Sequence, residues 1–151
     1  MGDPLSVAAN AIGIISFGIR VCKGLIDYSE AIRGRHQDVD DGINEVQSLL
    51  AVFESLDRTI TRLETESPEN AKSLLKHLRP AEGKLQCLEK VLAEVGVPID
   101  APNSAKGKMK EAYRAAIYPM KKSKLDGARQ NIQSLLGILT LALQTVNLPM
   151  P

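Results

Sequence analysis

Tryptophan is absent, and the aromatic residues are Phe17, Phe53, Tyr28, Tyr113 and Tyr118 alone. Strands draw on aromatic and β-branched side chains, so this scarcity argues against a sheet. The abundant Leu, Ala, Lys, Glu and Gln are helix formers. Histidine is as scarce, with only His36 and His77. His36 sits in the polar run Arg35-His36-Gln37, and His77 adjoins Leu78 at the edge of an apolar stripe. No Cys or His pair has the spacing of a structural zinc site. No HExxH or GxxxxGK[ST] occurs either. Asp40-Asp41 reads as the acidic first turn of a helix rather than as a cation site. The residues thus imply no catalytic group, cofactor or metal, and the expectation is a protein that is not an enzyme. Cys22 and Cys87 lie at helical positions in apolar surroundings. They read as small buried hydrophobes in a reducing compartment. Asp3 stands where a secretory signal would carry a base, and no apolar run reaches the ~20 residues of a membrane span.

The chain has 151 residues and a formal net charge of +1. One domain of this size buries roughly 70% of its unfolded surface, enough to fold without a disulfide or metal. Its charge is segregated. Nine acids fall between Asp38 and Glu69 (Asp38, Asp40, Asp41, Glu45, Glu54, Asp57, Glu64, Glu66, Glu69), against Arg58 and Arg62. Eight bases fall between Lys106 and Arg129 (Lys106, Lys108, Lys110, Arg114, Lys121, Lys122, Lys124, Arg129), against Glu111 and Asp126.

Apolar spacing predicts four long helices and one short one. Asp3 suits an N-cap and Pro4 the first helical position of a segment running to Arg33, before Gly34. Asp38–Glu66 repeats at Val39, Ile43, Val46, Leu50 and Phe53, then at Leu49, Phe53, Leu56, Ile60 and Leu63, until Ser67-Pro68. Glu69–Val95 steps through Leu74, Leu78, Ala81, Leu85, Leu88 and Leu92, keeping phase across Pro80, where a kink is expected. A loop containing Pro98 and Pro102 precedes a short basic helix, Ala105–Tyr118. Met120–Val146 closes the pattern with Leu125, Ala128, Ile132, Leu135, Leu139 and Ala142. These spacings of 3 and 4 are seams of amphipathic helices. Short connections between them predict an all-α antiparallel bundle over residues 1–147, with 148–151 beginning a linker.

The first segment departs from the rule. Pro4–Ile19 has no charge. Leu5, Val7, Ile12, Ile14, Ile15, Phe17 and Ile19 read as apolar on every side, and such a helix is buried all round or meets lipid. The resting expectation is a central helix wrapped by the others. Its ~16 uncharged residues rise about 24 Å, short of the ~30 Å hydrocarbon core, and Arg20 and Lys23 would extend that reach by snorkelling. Lys121, Lys122 and Lys124, with Lys110 and Arg114, are candidate contacts for anionic lipid. Nucleic acid is not expected as a partner, because no recognition motif accompanies the bases.

Asp3-Pro4-Leu5-Ser6-Val7-Ala8-Ala9 with Gly13-Ile14-Ile15 resembles the opening of fungal HeLo-like domains. Ala116-Ile117-Tyr118-Pro119-Met120-Lys121-Lys122 with Leu125, and the closing Leu135-Leu136, Leu139 and Leu141-Ala142-Leu143, are similar to that family's later pattern. The resemblance covers essentially the whole chain. It implies a helical bundle related to that of the mixed-lineage-kinase-like necroptosis effector, at the N-terminus of a fungal NOD-like (STAND) receptor or related protein. It further implies a membrane-targeting, pore-forming role in programmed cell death and innate immunity. Leu5, Val7, Ile12, Ile14, Ile15, Phe17 and Ile19 would then be the inserting residues. Such a domain would be cytoplasmic at rest and reach the plasma membrane when activated. It would self-associate and answer to a fused receptor or amyloid-signalling region. The alternative is a helical interaction or oligomerisation module without membrane activity.

Overall fold

A computed structural model describes residues 4–31, 39–95 and 122–147, with side chains over 10–30, 42–95 and 123–146. Four helices make up this part: α1 (Pro4–Ala31), α2 (Val39–Glu66), α3 (Pro68–Glu94) and α4 (Lys122–Asn147). The expected short helix Ala105–Tyr118 and the linker 148–151 lie outside the described residues. All described elements are helices, as composition predicts.

A single residue, Ser67, joins α2 to α3. Its carbonyl accepts the first bond of α3 from Ala71 N–H (3.1 Å), while its own N–H closes α2 on Leu63 (2.9 Å). Pro68 occupies the first turn, where its missing N–H costs nothing. Pro80 does not break α3, which runs unbroken to Glu94. Pro80 is exposed, so the carbonyl deprived of its intrahelical partner lies on the wet side of the helix.

The predicted stripes form the core. Val46, Leu49, Phe53, Leu56, Ile60 and Leu63 of α2 are buried, as are Leu74, Leu78, Ala81, Leu85, Leu88 and Leu92 of α3. Ala128, Ile132, Leu135, Leu139 and Ala142 of α4 join them. Burial of such side chains is worth about 1.5–3 kcal/mol each before entropy is counted. No polar side chain among the described residues is wholly buried, so apolar packing dominates.

The arrangement corrects one expectation. α1 is not wrapped by the others. It packs on α2 and α3, while α4 packs on the same pair and barely touches α1. Lys124 at the start of α4 pairs with Glu94 at the end of α3, so those two run antiparallel. Arg129 meets Glu45 early in α2. Helices α1 and α4 therefore occupy opposite corners of the four-helix cross-section.

Candidate functional site

A corner helix must present one side to solvent, and α1 does so without charge in its first half. Asn10, Gly13 and Ser16 are exposed, continued by Arg20, Lys23, Asp27 and Glu30. Their spacing of 3 and 4 is a helical stripe. Ile14 and Ile15 are buried with Ala11, Val21, Cys22 and Leu25, while Ile12, Phe17 and Ile19 are half-buried on the flanks. The reading of α1 as apolar on every side is thus revised: it has an outer stripe, built from Asn, Gly and Ser. Leu5 and Val7 belong to α1, but their side chains lie outside the described residues.

Gly18 fixes how closely α1 approaches α2. A Cβ built at this position would overlap the Phe53 ring, itself fully buried. At Gly13 the same position is open, with nothing within 4 Å. The Phe17 ring carries the Arg20 guanidinium over it, 5.8 Å from its centroid, within cation–π range. Beside it runs a groove of about 350 Å³ between α1 and α3, lined by Asn10, Gly13, Ile14, Phe17, Arg79, Glu82 and Gln86.

The candidate lipid contacts fare differently. Lys124 is engaged by Glu94. The Lys122 side chain, Lys110, Arg114 and Lys121 lie outside the described residues. Arg129 Nη2 stands 3.4 Å from Glu45 Oε1, and Gln133 approaches the same oxygen at 3.4 Å. Glu45 Oε2 and Arg129 Nε are buried and lack partners in this cluster.

His77 is half-buried, with Nδ1 2.8 Å from the Ser73 carbonyl oxygen, a contact within one helix turn that holds the ring along α3. His36 lies outside the described residues. Among the described residues no group of three or more His, Cys, Asp or Glu is placed to hold a metal. Cys22 is buried, and loss of solvent pushes its thiol up to about 12. Cys87 is exposed, which corrects the reading of both cysteines as buried: it falls on the outer side of α3, between the stripe residues Leu85 and Leu88. Among the described residues no helix is long and apolar enough to cross a membrane.

The described residues form an all-α bundle whose corner helix α1 is uncharged in its first half. A curated relative, azaphilone pigments biosynthesis cluster protein L of Monascus ruber, is 27% identical over 129 residues. The match covers 84% of this chain and 27% of that protein, so the chain spans about a quarter of its relative's length. No family model and no solved structure matches.

Proposed function

We propose that this chain is a membrane-acting effector domain whose α1 leaves the bundle on activation and enters the membrane. One observation carries the membrane part. The N-terminal helix sits at a corner, holds α2 and α3 through apolar contacts, and among its described side chains the exposed ones before Arg20 are the uncharged Asn10, Gly13 and Ser16. Release would bare Ala11, Ile14, Ile15, Val21, Cys22 and Leu25 at once. A helix with one apolar side and an outer stripe that runs from Asn10, Gly13 and Ser16 to Arg20, Lys23, Asp27 and Glu30 is amphipathic and suits the plane of a membrane interface. On this reading α1 lies in the interface, and several copies act together to permeabilise the bilayer. Lys110, Arg114, Lys121, Lys122 and Lys124 would assist at an anionic surface. The cell-death role rests on the HeLo-like resemblance at Asp3–Ala9 and in the segment before α4. A fused regulatory region is consistent with the much longer curated relative.

The test is dye release from vesicles containing anionic lipid, comparing wild type with Phe17→Asp. Phe17 is half-buried, so the variant is expected to stay folded, which its circular dichroism checks. Release by wild type that is lost in the folded variant supports the reading. Equal release by both contradicts it.

The second reading is an interaction module that never meets lipid. It is favoured by the absence, among the described residues, of any helix able to cross a membrane. It predicts self-association or partner binding with no dye release at any lipid composition.

A further inference from the structure

The bases of the described residues differ in how they are engaged. Arg62 pairs with Glu66, Lys124 with Glu94, and Arg129 with Glu45. On α3, by contrast, Lys72, Lys76, Arg79 and Lys90 are all exposed, and none is in an ion pair among the described residues. Their spacing of 4, 7 and 11 from the preceding base or from Lys72 keeps them on one side of the helix. The stripe they form is about 27 Å long at 1.5 Å per residue. Gly83 and Gln86 continue it between Arg79 and Lys90 without adding charge. Acids flank it along α3: Glu69 stands three residues before Lys72, the half-buried Glu82 three after Arg79 and Glu89 one before Lys90, while Glu94, one turn beyond Lys90 on the same side, is engaged by Lys124.

We propose that this α3 stripe is a docking surface for the headgroups of an anionic membrane. Charge complementarity selects an anionic partner. The neighbour of the stripe selects lipid over nucleic acid: Arg79 lines the same groove as Phe17 and Ile14, so the bases border the half-buried apolar edge of α1. A surface resting on Lys72, Lys76 and Arg79 brings that edge against the interface, where Phe17 gains hydrocarbon contact, whereas a duplex with its bases already stacked offers the ring only charged backbone. The stripe's residues are other than the candidate bases Lys121, Lys122 and Lys124. It rests on the membrane reading of α1 and adds to it the orientation in which the bundle lands.

The experiment is co-sedimentation of the 151-residue chain with vesicles of phosphatidylcholine alone or mixed with phosphatidylserine. Three forms are compared: wild type, Lys76→Gln/Arg79→Gln on the stripe, and Arg58→Gln/Arg62→Gln on α2, which removes the same charge from another face. Each base near an anionic leaflet is worth roughly a factor of five in partitioning. The stripe variant is expected to bind mixed vesicles roughly 25-fold more weakly, with the α2 variant close to wild type. Equal binding by the stripe variant and wild type overturns the proposal. So does an equal loss in both variants, which marks diffuse charge, and so does wild type that ignores phosphatidylserine. Binding of a short DNA duplex in preference to vesicles, lost in the stripe variant, replaces lipid with nucleic acid and overturns it too. If the stripe variant loses vesicle binding while Phe17→Asp still releases dye, docking through α3 stands and insertion of α1 falls.

Discussion

Phe53 lies where a side chain at position 18 would go, so two glycines of one helix have opposite roles. Gly18→Ala gains helix propensity worth up to ~1 kcal/mol but forces the ring aside, and overpacking costs about 1–3 kcal/mol. Gly13→Ala meets nothing and keeps the propensity gain. Denaturant unfolding should therefore show Gly18→Ala destabilised and Gly13→Ala unchanged or more stable; the reverse order would refute the α1–α2 contact. The cysteines differ in the same local way. Cys87 should react with a thiol reagent in the folded protein and Cys22 only on unfolding. Because burial raises the Cys22 thiol to about 12 from an ordinary 9.0, its folded form stays neutral while the unfolded thiol ionises. That contribution to stability is complete below pH 9 and is lost progressively as pH rises towards 12. Cys22→Ala should flatten this part of the stability profile.

At the scale of the helix, the ion pairs rank by exposure. Lys124 and Glu94 are about half exposed, so solvent screens them. Arg129 and Glu45 keep 30% and 25% of their side-chain surface. A double-mutant cycle should give a coupling near zero for the first pair and about 1 kcal/mol for the second; a larger value at Lys124–Glu94 would contradict the ranking. Two residues of α1 also separate. Ile14→Asp puts a charge into the core and should unfold the bundle, whereas Phe17→Asp should leave its circular dichroism intact. This contrast shows what was legible beforehand. α2 and α3 alternate Leu and Ile with charged residues, and α4 does so with charge as far as Arg129 and with Gln, Asn, Ser and Thr beyond it, so their buried sides could be read directly from spacing. α1 hides its outer stripe because Asn10, Gly13 and Ser16 carry no charge, and a glycine on a solvent face looks the same in sequence as Gly18 against a ring. The α3 bases were passed over for the denser run at Lys121–Lys124. Only the placement of Glu94 against Lys124 shows that density and availability differ.

Across the whole molecule, the decisive feature is that α1 and α4 share partners without sharing an interface. Freeing α1 removes contacts to α2 and α3 and leaves the α4 contacts to both in place. The remaining three helices expose the buried side chains that α1 covered, so release both bares α1 and creates an apolar surface suited to association with other copies. The central claim is that this release acts on membranes. Its most direct test is a disulfide tying α1 to α2 through cysteines introduced at suitably placed facing positions in a Cys22→Ala/Cys87→Ser background. Dye release from phosphatidylserine-containing vesicles is then measured with the bond formed and after reduction. Release blocked while oxidised and restored on reduction is the predicted result. Equal release in both states, from protein shown to be fully cross-linked when oxidised, would contradict the account.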